Sequence, residues 1–285
     1  MTNKLIIGTA QFGLSYGINN IAGKLPSEEV RNILVLAKEK GITKLDTSYA
    51  YGDSEVVLGN ALKNDDYFKI ISKLPYTDAE PVAIFNESLQ RLNTGKLHGY
   101  LIHHFNYFKE NHNIWHDVEK LKNDGHIDKI GFSIYQPKEL DYLFEHNILF
   151  DLIQFPYNIL DRSFTPYLKE LKNRNVEVHT RSVFLQGLFF MRKEKFSEKL
   201  LPLWPYVEQI NTFCKDKGIT IEELALNGVI HQPEIDGVLI GVDHSAQLSR
   251  NISSVWGNIP SEIESFIDSI QVKEKELLNP VNWNK

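Results

Sequence analysis

The chain of 285 residues contains a single cysteine, Cys214. One thiol cannot form an intramolecular disulfide, so the sequence lacks the cross-linked framework of small secreted proteins. Cys214 lies in an apparent helix near residues 207–217, where a buried structural thiol is expected rather than a nucleophile. We therefore expect a protein of a reducing compartment that is held together by its apolar core.

Long apolar runs are also missing from the sequence. No stretch approaches the roughly 20 apolar residues that cross a bilayer, and no leader-like apolar segment follows the first residues. Basic residues are fewer than acidic ones, 31 against 37, which gives a net charge of −6 and argues mildly against a nucleic-acid partner. These absences predict a cytoplasmic protein that binds neither a membrane nor a nucleic acid.

Two functional signatures are missing after the first strand-like run. No Gly-x-Gly-x-x-Gly motif follows it, so a Rossmann-type dinucleotide site is not supported. Thr9-Ala10-Gln11 contains no metal ligand, whereas a barrel metal hydrolase would need several converging ligands, commonly including His-x-His at this point. We therefore expect no metal site.

Strand-like and helix-like segments alternate along the whole chain, which is the pattern of parallel βαβ units. Without a linker or a break in composition, residues 1–285 are expected to form one domain, an α/β fold of the (β/α)8 TIM-barrel type. A longer connection at about 182–233, in which Thr220 is a possible helix cap, and a short C-terminal tail complete it. An open doubly wound sheet is the weaker alternative, because the reactive residues lie at consecutive strand ends.

Reactive side chains follow successive strand-like runs. Asp46 ends one run, Tyr51 lies in the loop after it, and Lys73 and His103 end the next two runs. Barrel enzymes carry their chemistry at this end of their strands. A lysine ammonium favours a nearby phenolate, a carboxylate keeps the lysine charged, and a histidine can orient a substrate oxygen. The set predicts protonation of an oxygen on which negative charge develops.

The sequence resembles the aldo-keto reductase superfamily in six ordered blocks. They are Gly8-Thr9-Ala10, Asp46-Thr47-Ser48 through Tyr51-Gly52, Lys73, Leu101-Ile102-His103, Gly131-Phe132-Ser133, and Ile153-Gln154 through Tyr157-Asn158. The resemblance implies NAD(P)H-dependent reduction of a carbonyl group, in which Asp46, Tyr51, Lys73 and His103 form the catalytic set. Tyr51 would protonate the oxygen, Lys73 would lower the pKa of Tyr51, and Asp46 would anchor Lys73.

The resemblance also implies a nicotinamide cofactor across the barrel mouth, NADP as the first choice and NAD as the alternative. The cofactor-binding residues expected from it are Thr9, Ala10, Ser133, Gln154, Arg181, Ser182, Phe184, Gln186, Gly187, Gly241, Val242, Gln247 and Asn251. The backbone amides of 182–187 are expected to bind pyrophosphate, and Ser245 is expected to begin a helix whose N-terminus suits an anion.

This chain departs from the pattern of the family at several of these positions. Ile134 replaces a common asparagine, so Gln154 and Asn158 are expected to take over its contact with the nicotinamide. Arg181 replaces the usual stacking aromatic, and its charge there would repel the oxidised, cationic ring more than the reduced ring. Asp243 adds an acid that disfavours a 2′-phosphate.

The substrate pocket is expected to include Gln11, Tyr16, His104 and Phe105. As neighbours on one strand, His103 and His104 should point to opposite sides, which makes His103 the catalytic histidine and His104 a wall of the pocket. The run 179–184 and the C-terminal tail resemble a bacterial subgroup associated with carbohydrate and surface-polysaccharide pathways.

The substrate that the resemblance implies is therefore a small carbonyl compound, a sugar-like aldehyde or ketone or a nucleotide-linked sugar. The alternative function is a nicotinamide-binding sensor or subunit on the same barrel with little turnover. The sequence indicates no oligomeric state.

Overall fold

The structure is a computed structural model that describes residues 1–15, 17–18, 23–63 and 65–283. Eight parallel strands follow each other around a closed barrel in chain order, and the last pairs with the first. The strands are β1 Leu5–Gly8, β2 Lys44–Asp46, β3 Lys69–Leu74, β4 Leu97–Ile102, β5 Ile127–Ser133, β6 Leu152–Pro156, β7 Glu177–Arg181 and β8 Gly237–Gly241. The expected (β/α)8 barrel is confirmed.

Helices connect the strands and surround the barrel. Within the described residues they are α1 Ala10–Gly13, α2 Ser27–Glu39, α3 Ser54–Leu62, α4 Pro81–Leu92, α5 Phe105–Glu110, α6 Asn113–Asn123, α7 Pro137–Glu145, α8 Thr165–Asn173, α9 Trp204–Lys217, α10 Ile221–Ile230, α11 Ser245–Ser253 and α12 Ser261–Ser269. Short 3-10 turns lie at Thr2–Lys4, Leu185–Phe190, Lys193–Lys195, Leu201–Leu203, Lys275–Leu278 and Pro280–Asn282. Thr220 caps α10 in a capping box with Glu223, as expected from the sequence.

The side chains of each strand alternate between two environments, because successive residues point to opposite faces. Outward residues such as Leu45 and Ile153 pack under the helices in the main core. Inward residues Ile71, Leu101 and Leu152 form a separate apolar cluster. This alternation also determines which polar residues face the barrel interior.

The amino-terminal end of the barrel contains ion pairs. Glu177 accepts hydrogen bonds from Lys44, from Lys129 and from Nε2 of His179 at 2.7 Å. His98 is only 10% exposed and lies 3.6 Å from the Glu177 carboxylate. Burial would raise the pKa of Glu177, but its hydrogen bond with His179 and the nearby His98 and lysine side chains hold this pKa well below its usual range. The network therefore keeps a charged carboxylate at the bottom of the barrel.

The long connection after β7 has an apolar cluster of its own. Leu188, Leu203 and Val207 belong to it, and Leu278 from the C-terminal tail packs there too. Cys214 of α9 lies in the same cluster, where burial raises the pKa of its thiol to about 11, in agreement with the expected structural role. Within the described ranges, no helix is both long enough and apolar enough to cross a membrane.

Candidate active site

A cleft of about 350 Å³ opens at the carboxyl ends of the strands. It is lined by thirteen residues that the sequence predicts for catalysis, cofactor binding or the substrate pocket: Thr9, Ala10, Gln11, Asp46, Tyr51, Gln154, Arg181, Ser182, Phe184, Gln186, Gly187, Gly241 and Gln247. These residues come from both ends of the chain and from its middle. The barrel therefore brings most of the predicted positions together around one space.

Lys73 and Asp46 form a buried ion pair beneath the cleft. Lys73 is fully buried, and it donates hydrogen bonds to Oδ1 of Asp46 and, at 2.8 Å, to the carbonyl oxygen of Thr47. The second carboxylate oxygen of Asp46 accepts a 2.7 Å hydrogen bond from Nε2 of Gln154. Burial lowers the pKa of Lys73, and the Asp46 charge opposes that effect. The ammonium group is thus held in position by two partners, Asp46 and the Thr47 carbonyl oxygen, and Gln154 holds Asp46 in turn.

Tyr51 lies above this pair. The Lys73 ammonium is 5.2 Å from the centroid of the Tyr51 ring, and the His103 ring is 5.7 Å away in an edge-on arrangement. Burial raises the pKa of the phenol, Asp46 raises it further, and Arg181 acts in the opposite direction. The expectation that Lys73 lowers the pKa of Tyr51 stays a prediction. Tyr51 is a protonated phenol at neutral pH, which is the form that donates a proton.

Two glycines bring the loop of Tyr51 close to α1. A Cβ atom on Gly13 would lie 1.9 Å from the carbonyl oxygen of Tyr51 and 2.5 Å from the backbone nitrogen of Ser54. Gly52 has a φ of 59°, and a Cβ atom there would lie 2.6 Å from the carbonyl oxygen of Gly13. Because both obstacles are backbone atoms, only glycine permits this approach. The position of Tyr51 thus depends on two residues without side chains.

His103 and His104 lie side by side rather than on opposite faces. Strand β4 ends at Ile102, so strand alternation no longer applies, and the two rings stack with centroids 4.8 Å apart. Nδ1 of His103 is 3.0 Å from the Ser48 hydroxyl oxygen. Burial, together with the charge of Lys73, holds the pKa of His103 well below its usual range. The imidazole is therefore neutral at pH 7.

The predicted substrate pocket is only partly present. Gln11 lines the cleft, and its side-chain amide lies against Gly241. Phe105 is wrong as a pocket residue, because it is 6% exposed and packs on the rings of Phe132 and Tyr142 in the core. The prediction for Tyr16 falls outside the described residues. His104 is exposed and does not line the cleft, so its role as a pocket wall stays a prediction.

Two residues near β5 and β6 that were expected to contact the nicotinamide, Ser133 and Asn158, do not line the cleft. Ser133 and Gln154 are paired in register, but Ser133 is buried and does not line the cleft. Asn158 is also buried, and its side-chain oxygen Oδ1 accepts hydrogen bonds from the backbone amides of Leu160 and Asp161 at 2.9 and 3.0 Å. Its side-chain nitrogen donates a 3.2 Å hydrogen bond to the carbonyl oxygen of Ser182. Asn158 therefore joins its own loop to the loop after β7, and its contact with a nicotinamide stays a prediction.

The loop after β7 has an unusual backbone. Ser182, Leu185 and Gln186 have positive φ values of 63°, 46° and 54°, a conformation that is costly for residues other than glycine. Two of the amides expected to bind pyrophosphate donate within the loop instead: Leu185 to Ser182 at 2.8 Å, and Gly187 to Phe184 at 2.9 Å. The loop therefore has a fixed shape along one wall of the cleft.

Comparisons with known proteins agree with this geometry. The model of the Aldo/keto reductase family matches residues 4–271. The chain belongs to the aldo/keto reductase family. It is accordingly an NAD(P)-dependent oxidoreductase of the kind that reduces carbonyl groups.

Curated relatives and solved structures show similarity over most of the chain. The NADH-specific methylglyoxal reductase of Escherichia coli (strain K12) is 25% identical, over 83% of this chain and 86% of the relative. The L-galactose dehydrogenase of Arabidopsis thaliana is 25% identical, over 97% and 92%. The holo form of an aldo-keto reductase from Bacillus halodurans superposes with a TM-score of 0.76 at 20% identity, over 95% and 94% of the two chains. This structural similarity shows the fold.

In this aldo/keto reductase, the end of the cleft beside β8 is acidic. The backbone amide of Ser245, expected to bind an anion, donates to Oε1 of Glu29 on α2, so a carboxylate already occupies the start of α11. Burial raises the pKa of Asp243, whose Oδ1 is buried and has no hydrogen-bond partner within the described part of the chain. Gln247 accepts a 2.8 Å hydrogen bond from the amide of Asp243. Nδ1 of His244 lies 3.5 Å from Oε1 of Glu29 at this point.

Two other residues predicted to bind the cofactor, Val242 after β8 and Asn251 of α11, are buried. Val242 is fully buried in the main core, so only its backbone remains as a contact for a cofactor. Asn251 is 1% exposed, and its Nδ2 has no hydrogen-bond partner among the described residues. A buried amide without a partner is costly. Asn251 and Asp243 therefore both have free hydrogen-bonding capacity that a polar nucleoside would satisfy.

The structure also shows residues that sequence reasoning missed. Gly8, Phe190 and Leu239 line the cleft. The position of Gly8 at the end of β1 could have indicated this, because the carboxyl ends of the strands form the barrel mouth. Leu239 lies within β8 and Phe190 in the loop after β7, where the sequence gives no such signal. Tyr135 was missed as well, although it lies only two residues after Ser133, the last residue of β5. The Tyr135 ring lies against Arg181.

Proposed function

We propose that this aldo/keto reductase reduces a small polar aldehyde or ketone, with Tyr51 as the proton donor. The observation that carries the proposal is a protonated Tyr51 phenol beside a neutral His103 and above the buried pair of Lys73 and Asp46. A bound nicotinamide would supply the hydride. Positioned acid catalysis of this kind is worth about 10²–10⁴-fold in rate.

The hydrogen bonds of Ser48 indicate how His103 acts. The Ser48 hydroxyl oxygen accepts a hydrogen bond from the amide of Ala50 at 3.2 Å, and we propose that it donates its own proton to Nδ1 of His103, which lies 3.0 Å away. The other ring nitrogen, Nε2, then bears the proton of the neutral imidazole. His103 would donate this proton to the substrate carbonyl oxygen in a hydrogen bond and hold it near the Tyr51 hydroxyl.

Lys73 would act through its fixed positive charge. The carbonyl oxygen becomes negative as hydride arrives, and a cation near it lowers the energy of that state. Asp46 and the Thr47 carbonyl oxygen hold the ammonium in place. Lys73 and Asp46 are therefore positioning residues, whereas Tyr51 and His103 would touch the substrate.

Replacement of Tyr51 by Phe tests this function. The variant is expected to lose at least about 10²-fold in kcat for carbonyl reduction, because the proton donor is gone. Its affinity for the reduced cofactor should change less than about twofold, because the ring remains. Initial rates and a fluorescence titration of the same preparation measure the two effects. A variant that reduces carbonyls at the wild-type rate would contradict the role of Tyr51 and support the sensor alternative.

The acidic end of the cleft favours NADH over NADPH, which reverses the preference that the resemblance suggested. Hydrogen bonds from Ser245 lower the pKa of Glu29, so its carboxylate stays charged. A 2′-phosphate there would meet that charge and the carboxyl group of Asp243. A ribose hydroxyl could instead donate to Oδ1 of Asp243, which has no partner in the described chain. One curated relative is described as NADH-specific.

Separate titrations with NADH and NADPH test this preference. We expect the wild-type protein to bind NADH at least about tenfold more tightly, since one unfavourable charge contact of this size costs about 1.4 kcal/mol. Glu29→Gln should narrow the difference, whereas Glu28→Gln, which removes an exposed acid one residue earlier, should leave it unchanged. Tighter binding of NADPH by the wild type would reject the preference.

The proposed substrate carries hydroxyl groups or a second carbonyl group. The polar side chains of Gln11 and Arg181 line the cleft, and the names of two relatives refer to L-galactose and methylglyoxal. A sugar-like or nucleotide-linked carbonyl, as in the carbohydrate pathways that the resemblance implies, fits this polarity. Rates with hydroxylated and apolar aldehydes of matched size would test it, and a consistent preference for the apolar ones would contradict it.

A further inference from the structure

Arg181 is held at the end of β7 by two contacts. Its guanidinium carbon lies 4.0 Å from the centroid of the Tyr135 ring. A terminal nitrogen donates a 3.1 Å hydrogen bond to the carbonyl oxygen of Ile134. Tyr135 is itself fixed, because its amide donates to Oε2 of Glu139 at 2.6 Å in the N-terminal capping box of α7. The guanidinium therefore has a defined place in the cleft.

Arg181 forms no ion pair within the described residues. No carboxylate of this part of the chain lies within 4.0 Å of its nitrogens, whereas the neighbouring cation Lys73 is paired with Asp46. Arg181 is half-buried and lines the cleft beside Tyr51. Its charge acts on the pKa of Tyr51 and of His103. The positive field of Arg181 therefore reaches the groups that would hold the substrate oxygen.

The proposed reaction places the nicotinamide in the same field. Hydride transfer requires the hydride-bearing carbon to lie about 3–3.5 Å from the substrate carbonyl carbon, whose oxygen would contact Tyr51. The nicotinamide ring must therefore be close to Tyr51 and so within reach of the Arg181 charge. The oxidised ring is a cation, and the reduced ring is neutral. Only the oxidised form meets a repulsion.

We propose that Arg181 selects the reduced over the oxidised cofactor and that Tyr135 is the residue that positions it. The inference rests on the proposed function, because it needs a nicotinamide beside Tyr51. Two like charges close together at a half-buried site repel each other enough to weaken binding about 10- to 100-fold. The overall reaction equilibrium does not change. Arg181 changes only which form of the cofactor occupies the site. From a mixture of both forms the protein binds the reduced cofactor, and after the reaction the oxidised cofactor dissociates readily.

Equilibrium titrations with NADH and with NAD⁺ test this inference without any turnover. The quantity measured is the ratio of the two dissociation constants, NAD⁺ over NADH, in which contributions from the shared adenosine and pyrophosphate cancel. Arg181→Met is expected to lower the ratio about tenfold or more. Tyr135→Leu should lower it by less, and Tyr135→Phe should preserve it because the ring face remains.

The chain offers a matched control for the loss of an arginine that lies on a ring. The Arg174 guanidinium carbon is 4.4 Å from the Phe144 ring centroid at the end of α8, where Arg174 also pairs with Glu170. Arg174 does not line the cleft. Arg174→Met is therefore expected to leave the ratio unchanged. Circular dichroism of each variant verifies that it is folded.

A measurement on the unaltered protein gives independent support. Salt screens the repulsion between Arg181 and an oxidised ring, so the ratio should fall as ionic strength rises. A ratio that is independent of salt and unchanged in Arg181→Met would overturn the inference and leave the proposed function intact. Failure of the folded wild-type protein to bind either form would instead reject the proposed function, and this inference with it.

Discussion

At the scale of single residues, the chemistry depends on how burial changes protonation. Lys73 is fully buried and Asp46 is 2% exposed, so each ion is costly without its partner, and removal of one partner of such a pair costs about 3–5 kcal/mol. The same burial raises the pKa of Tyr51 and lowers that of His103. A proton donor that stays protonated and a histidine that stays neutral are suited to reduction at neutral pH.

These two directions predict the pH dependence of reduction. His103 has a pKa well below its usual 6.5 and is neutral above it, whereas Tyr51 has a pKa above its usual 10 and is protonated below it. We therefore expect kcat/KM to be level between about pH 6.5 and pH 9.5. Initial rates measured across this range verify it. A fall centred near pH 6.5 that disappears in His103→Gln would contradict the lowered pKa of His103.

At the scale of elements, the contact between α1 and the loop after β2 sets the position of Tyr51. The carbonyl oxygen of Tyr51 and the backbone of Ser54 fill the space where a Cβ atom of residue 13 would lie. The hydroxyl of Ser54 donates to the carbonyl oxygen of Thr9 at 2.8 Å, which joins the same two segments. The loop has therefore little freedom to move away.

The glycine in this contact provides a test. Gly13→Ala should displace the loop of Tyr51, and a displacement of about 1 Å costs on the order of 10²-fold in kcat/KM. Overpacking should also lower stability by about 1–3 kcal/mol. Gly95→Ala is the control, because a Cβ atom on Gly95 would meet no atom within 4 Å. A Gly13→Ala enzyme with wild-type kinetics would show that the loop position is not critical.

The elements are also where prediction from the sequence succeeded and failed. Alternating apolar runs predicted the strands, and the Thr220 cap was predicted from local spacing. The predicted strand that ended at His103 was one residue too long, since β4 ends at Ile102. That single residue decides whether His103 and His104 alternate or stack. Phe105 was misplaced for a related reason: α5 begins at this residue and turns its ring into the core.

At the scale of the whole molecule, the two ends of the barrel have different roles. The carboxyl end holds the cleft, and the amino end holds the ion pairs of Glu177 with Lys44, Lys129 and His179. The pKa of Glu177 is lower in the folded chain than in the unfolded chain. Its ionic contribution to stability is therefore fully present at pH values above the pKa that Glu177 has in the unfolded chain. It is lost as pH falls through the folded value. The network therefore contributes at neutral pH and weakens only in acid.

Replacement of Glu177 measures this contribution. Glu177→Gln leaves two lysines and His179 without their carboxylate, and we expect a loss of about 2–4 kcal/mol in the free energy of unfolding at pH 7. The surface pair of Glu170 and Arg174 gives the control, and Glu170→Gln should cost less than about 1 kcal/mol. Denaturant unfolding at pH 7 compares the two. Equal losses would mean that the buried network contributes no more than a surface pair.

The sequence by itself determined the barrel and most of the residues that line the cleft, because these follow from local periodicity and from strand ends that must meet at one edge. The tertiary structure alone decided how each group behaves. Glu29 and Ser245 are 216 residues apart, yet their contact turns an expected anion site into an acidic one. The raised pKa of Tyr51 and the position of Arg181 on Tyr135 likewise depend on burial and on neighbours from other strands. Such contacts are set by packing of the whole chain, and local spacing contains no information about them.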